Sequence, residues 1–277
     1  MSRSLVLGLS GQIGAALLPR LLERNSQVLA ISRHSQPPQR DIEWRLGSLE
    51  AMPEIPPDID CVLSLGPLDA FVAWFVAAGP NVSRVVAIGS TGRRDKLHSL
   101  DANERDTAQR LVNAEAQLFE VGRQRGIAVT VLRPTLLYGG GRDQTLSPLL
   151  KLARRFRMVL LPATATGLRQ PVHVADVADA VVRCWDSAAA FGHGYDLPGA
   201  ETLSVDAMVR RAVERHAPGC RVLSFPTVFF RIGLALAGWF WRPTINRGLL
   251  QRLRNDQVAD PAPAIRAFGY RPRRFDP

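Results

Sequence analysis

The chain has 277 residues, 46% hydrophobic and 22% charged, enough for one large α/β domain or a core domain with a smaller appendage. That balance excludes general disorder, and three widely spaced cysteines (Cys61, Cys184, Cys220) exclude a disulfide scaffold and show no zinc spacing. The formal net charge is +10, yet only Lys96 and Lys151 among 35 basic residues are lysine, a bias that fits an arginine-favouring genome better than selection for nucleic-acid contacts.

The N-terminus has no apolar leader with a small-residue cleavage site, so a cytoplasmic location is expected. Ser4–Leu9 reads as a strand, and apolar periodicity from Ile13 to Leu22 as a helix. Between them lies Gly8-Leu-Ser-Gly11-Gln-Ile-Gly14. Glycines there let the backbone turn sharply and approach a pyrophosphate, whose charge rests on the helix N-terminus. Further strands are predicted at Gln27–Ser32, Cys61–Leu65, Ser83–Ile88 and Val129–Arg133, with a helix of about six turns over Asn103–Gln124. Nearly all-apolar strands separated by helices predict an α/β fold, a doubly wound parallel sheet covered on both faces.

After Tyr138 the pattern changes. Gly139-Gly140-Gly141 is a breaker, then helices are predicted over Leu146–Phe156, Asp176–Trp185, Val205–His216 and Phe229–Trp241. Short extended pieces are expected at Gln170–Val174 and Tyr195–Leu197. Residues 1–140 and 168–198 are thus assigned to a dinucleotide-binding domain, and 141–167 with 199–277 to a smaller, mostly helical substrate domain. Phe225–Trp241 is the most apolar stretch, but at about 17 residues with Arg231 inside it falls short of a membrane span. A buried or interfacial helix is the preferred reading, with contact at a membrane surface open but not favoured. From Arg210 to Pro277 there are 13 Arg against four acids, which suits an anionic small molecule, an acidic membrane surface or plain solvation, with no nucleic acid expected.

The GxxGxxG spacing, Arg133-Pro-Thr-Leu-Leu-Tyr138-Gly139, Pro171-Val-His173-Val-Ala-Asp176-Val-Ala178, Ile88-Gly-Ser90-Thr91 and Phe268-Gly-Tyr-Arg-Pro272 occur in one order along the chain. Together they resemble the extended branch of the short-chain dehydrogenase/reductase superfamily, the nucleotide-sugar epimerases, dehydratases and 4-ketoreductases. The resemblance implies an NAD(P)-dependent oxidoreductase working by hydride transfer on a nucleotide-diphosphate sugar or related carbonyl compound. It implies cofactor contacts at Gly8, Ser10, Gly11, Gln12, Ile13, Gly14, Leu65, Gly66, Pro134 and Thr135. An NAD-selective site puts a carboxylate at the end of the second strand; here Ser32-Arg33-His34 stands there, which suits the 2′-phosphate of NADP, with NAD the alternative. Arg169, Arg210, Arg247 and Arg252 are candidates to hold the diphosphate.

One departure bears on chemistry. Taking Glu115 as the glutamate that follows the family's YxxxK puts Thr107 at the Tyr position and Leu111 at the Lys position. A threonine hydroxyl is far less acidic than a phenol, so it does not replace that acid at neutral pH. Ser90 and Thr91 remain as candidate catalytic hydroxyls, with a substitute proton source sought in Arg93–Glu104. No metal site is expected, and His173 reads as a docking residue more than a catalytic one. The alternative from another class is a cofactor-binding sensor or assembly protein without turnover; lipid or quinone chemistry at a membrane surface is a third reading.

Overall fold

The computed structural model describes residues 3–24, 27–141, 143, 145–226 and 248–277. Seven strands, β1 (Arg3–Leu7), β2 (Gln27–Ser32), β3 (Ile42–Leu46), β4 (Ile59–Ser64), β5 (Arg84–Ile88), β6 (Ala128–Pro134) and β11 (His193–Leu197), form one parallel sheet in the order β11-β6-β5-β4-β1-β2-β3. The helices on it are α1 (Gln12–Glu23), α2 (Leu68–Ala78), α4 (Ala102–Arg125) and α6 (Val174–Trp185). A one-turn α3 (Gly92–Asp95) follows β5.

Strand alternation sorts the core into two layers. Val6, Cys61, Leu63, Val86 and Ile88 face α1 and α6. Leu5, Leu7, Val62, Val85 and Ala87 face α2 and α4, where Phe71, Phe75 and Leu118 are fully buried. Both faces are covered, which is the doubly wound arrangement that the apolar strands predict. Strand order reverses between β1 and β4, so the carboxyl ends of these strands open a crevice there.

The remaining described residues form a smaller, mostly helical region with α5 (Leu146–Phe156), α7 (Val205–His216) and the helix Gly248–Arg254. The helix Ala262–Phe268 instead returns to the main domain, with Ala264 and Phe268 buried in the same core as α6 and β11. Three two-stranded ribbons join it: β7 (Leu137–Tyr138) with β10 (Val172–His173), β9 (Leu168–Arg169) with β12 (Leu203–Ser204), and β8 (Met158–Pro162) with β13 (Arg221–Phe225). Among the described residues, no helix is long and apolar enough to cross a membrane.

Several elements depart from the sequence reading. β1 stops at Leu7 because Gly8 has a left-handed backbone, φ +83°, which ends the strand two residues before Leu9. The edge strand β3 and the helix α2 were not read from sequence at all. The expected extended piece Gln170–Val174 shrinks to Val172–His173, since α6 begins at Val174 with His173 as its cap. The helix expected over Phe229–Trp241 lies outside the described residues.

Candidate functional site

The turn after β1 shows why glycine stands at each place. At Gly8 a side chain would carry a strained φ and meet the Gly66 backbone nitrogen at 3.3 Å. The Gly11 amide donates to the Gly8 carbonyl at 2.9 Å and closes the turn. A Cβ on Gly14 would stand 2.1 Å from the Leu9 carbonyl oxygen, so α1 lies against the turn only without one. Gly11 is the N-cap of α1 and no side chain caps the helix. Its first amides point from a positive helix end toward the crevice, an arrangement suited to a pyrophosphate.

That crevice is a cleft of about 330 Å³. Gly8, Ser10, Gly11, Ser32, Arg33, Leu65 and Gly66 line it, together with Gly47, Ser48, Leu49, Glu50, Met52, Pro67 and Ala70. The second group was missed from sequence because it follows β3 and begins α2. Ile42–Leu46 running into Gly47 is the strand-to-turn signal that would have found its first members. The bare backbone at Gly8 and Gly66 and the uncapped helix end fit a dinucleotide.

The side chains of the other expected cofactor residues are not in the cleft lining. Ile13 and Gly14 are packed into the core, while the Gln12 and Ile13 amides open α1. Gln12 donates its amide to the Gly139 carbonyl at 2.7 Å, and the Thr135 hydroxyl donates to the Gln170 carbonyl. The Pro134 carbonyl accepts from the Thr91 amide at 3.3 Å. At the end of β2 the Ser32 hydroxyl donates to the His34 carbonyl at 2.8 Å, so that oxygen shapes the turn. His34 is exposed and does not line the cleft, whereas Arg33 is exposed at its wall with no ion pair among the described residues. In the neighbouring turn after β3, the Ser48 hydroxyl, the Glu50 backbone amide and the charge of Arg33 hold the Glu50 carboxyl below its ordinary value.

Ser90 and Thr91 end β5. The Ser90 Oγ accepts from the Gly92 amide at 3.0 Å, and Thr91 is buried. On α4, the Thr107 hydroxyl donates to the Asn103 carbonyl at 2.7 Å and accepts from Arg110 at 3.3 Å. Leu111 packs on the α2–α4 core. Glu115, the reference for this alignment, is buried in an ion pair with Arg133, which also reaches Asp196 at 3.2 Å. In the segment offered as a proton source, Arg93 faces Glu115, Arg94 holds Asp95 and Asp196, and Glu104 pairs with Arg252. Lys96 makes no ion pair among the described residues, and its Cδ and Cε lie 3.7 Å from the point where a Gly92 Cβ would stand, 3.1 Å from Ser90 Oγ.

The diphosphate arginines are engaged inside the protein. Arg169 is buried, donating to the carbonyls of Leu168, Arg252 and Asn255, and loss of solvation lowers its pKa to about 10. Arg210 grips Asp206, and Arg252 holds Glu104. Arg247 lies outside the described residues. His173 accepts the Ala175 amide on Nδ1 at 3.2 Å, and Asp176 holds the Arg273 side chain at 2.7 Å and its amide at 2.9 Å. Among the described residues, no group of His, Cys, Asp and Glu could hold a metal ion.

No protein-family model matches the chain, and no curated protein matches it in sequence. Solved structures do. An epimerase from the methanogen Methanothermobacter thermautotrophicus superposes with a TM-score of 0.72 at 14% identity, covering 98% of this chain and 88% of that one. MoeE5 in complex with UDP-glucuronic acid and NAD gives 0.70 at 19% identity, covering 98% and 94%. A UDP-glucuronic acid 4-epimerase from Bacillus cereus in complex with NAD gives 0.71 at 12% identity, covering 98% and 91%. The fold is theirs. At these identities the likeness is one of fold, running nearly end to end, and this chain has Thr107 and Leu111 where the sequence resemblance led to Tyr and Lys.

Proposed function

We propose that this chain binds NADP(H) in the cleft at the β1–β4 crevice and acts as an epimerase/dehydratase-like oxidoreductase on a nucleotide-diphosphate sugar or related carbonyl compound. The observation that carries the reading is the cleft itself: a bare glycine turn at an uncapped helix end, with Arg33 on the β2 side in no ion pair among the described residues. The cofactor would supply or accept a hydride. The chain would hold the pyrophosphate on the amides opening α1 and the 2′-phosphate on Arg33. The Thr91 hydroxyl, at the carboxyl end of β5, would orient a substrate carbonyl. Two of the solved structures that share the fold are complexes with NAD, so NAD is the alternative cofactor.

The state of α4 favours a second reading, a cofactor-binding protein without turnover. Thr107 spends its hydroxyl on its own helix and Leu111 packs half-buried against the core, so neither position of α4 offers an acid of the usual kind. One pair of measurements separates the two. NADPH and NADH are titrated by protein fluorescence, and NADPH oxidation is then followed with 4-keto nucleotide sugars. Tight NADPH binding with turnover supports the enzyme, and tight binding without it supports the second reading. An NADH site tighter than the NADPH site overturns the cofactor assignment.

A further inference from the structure

We infer that the outer face of the β8–β13 ribbon docks on an anionic lipid surface. β8 and β13 pair in parallel with Met158 beside Arg221, Leu160 beside Leu223 and Pro162 beside Phe225. Strand alternation then divides the ribbon. Val159 and Leu161 turn inward onto α5 and α7, joined by Val222. Met158, Leu160, Leu223 and Phe225 turn outward, each between 36% and 46% exposed. Phe156, which ends α5 immediately before the ribbon, is 54% exposed. Large apolar side chains scattered singly on a surface are ordinary, but five gathered at one ribbon mark an interaction surface.

The charge beside this face selects the partner. Arg157 accepts the Arg221 amide on its carbonyl at 3.1 Å, and Arg154 donates to the His216 carbonyl at 2.9 and 3.0 Å. Arg155 lies over the Phe156 ring, 5.7 Å from its centroid. Arg155, Arg157 and Arg221 form no ion pair among the described residues, while Arg154 is held by His216 and lines a cavity with Tyr138 and Asp276. At the other end, Asp206 is already held by Arg210. An apolar face flanked by guanidinium groups that no described carboxylate neutralises matches an anionic bilayer, where the side chains enter the headgroup boundary and the arginines meet phosphates.

The test is co-sedimentation of the full chain with vesicles of phosphatidylcholine, alone or mixed two to one with phosphatidylglycerol. The wild type should sediment with the anionic vesicles and not with the neutral ones. Leu160→Asp with Leu223→Asp, and separately Arg155→Glu with Arg157→Glu, should weaken that binding by about tenfold or more. Both pairs are exposed, so melting temperature and NADPH titration should stay at wild-type values. A wild type that remains in the supernatant overturns the inference, as do variants that sediment equally well. Sedimentation equilibrium showing a dimer lost in the Leu160→Asp, Leu223→Asp variant would assign the face to a second copy instead. Because the NADPH titration is read separately, failure here leaves the cofactor reading standing.

Discussion

Arg33 and Glu50 both line the cleft where β2 and β3 end side by side, and the charge of Arg33 is felt by Glu50. A charge-assisted hydrogen bond to a phosphate contributes about 1.5–3 kcal/mol, so Arg33→Ala should weaken NADPH binding by about tenfold to a hundredfold. NADH, which has no 2′-phosphate, should bind within about threefold of wild type, because such a ligand meets no lost charge partner. Calorimetric titration with both nucleotides checks this. Glu50→Gln should move NADPH the other way, tightening it, since a carboxylate beside a phosphate is a like-charge contact. On α4 the expectation concerns turnover. Thr107→Ala should leave any NADPH oxidation rate unchanged, and Thr91→Val should lower it by tenfold or more, as judged by steady-state kinetics. Thr107 and Leu111 were legible in sequence as a departure. That the Thr107 hydroxyl donates to Asn103 and accepts from Arg110 was not, because those contacts depend on rotamers.

At the scale of elements, capping ties the sheet helix α6 and the helix α5 of the smaller region to pH. His173 caps α6 through Nδ1, which accepts a hydrogen bond only when unprotonated. Burial, helped by the nearby Arg273 charge, lowers the His173 pKa from its ordinary value near 6.5. A histidine with a depressed folded-state pKa gives stability that is present above the unfolded value and is lost as pH falls through the folded one. Thermal melts from pH 7 downward should therefore show wild type losing stability below about 6.5 that His173→Asn, a non-titrating cap, retains. Asp143 serves α5 in the same way. Burial alone would raise its carboxyl, but the Ser147 hydroxyl and the amides of Ser147, Leu146 and Thr145 outweigh it and hold the group below its usual value. Its contribution is thus present above an ordinary aspartate pKa and lost in stronger acid. Asp143→Ala should cost about 1–2 kcal/mol at pH 7, measured by denaturant unfolding. Helix positions such as Leu146–Phe156 and Val205–His216 follow from i, i+3, i+4 spacing, while the identity of these caps follows from how the chain approaches each helix.

Across the whole molecule, one buried ion network ties the sheet together. Glu115 on α4, Arg133 on β6 and Asp196 on β11 meet at the carboxyl end of the sheet, with Arg93 3.5 Å from Glu115. Removing one partner of a buried pair leaves an uncompensated charge, so Glu115→Ala should cost about 3–5 kcal/mol and lower the melting temperature. A loss under 1 kcal/mol would show that solvent repairs the network. The local sequence determined the parallel sheet, the glycine turn and most helices, because strand–glycine–helix grammar and apolar periodicity are written in neighbouring residues. The edge strand β3 escaped because only one of its five residues is buried, and α2 because LDAFVAWFVAA is apolar all round and shows no stripe. Missing those two elements hid part of the cleft lining on each side of β1, Gly47–Glu50 after β3 and Pro67 with Ala70 after β4. Only the tertiary structure decided how the arginines are used. A guanidinium reads the same in sequence whether it awaits a phosphate or, like Arg169, is held by carbonyls from residues more than 80 positions away, since its partners are set by which segments the fold brings together.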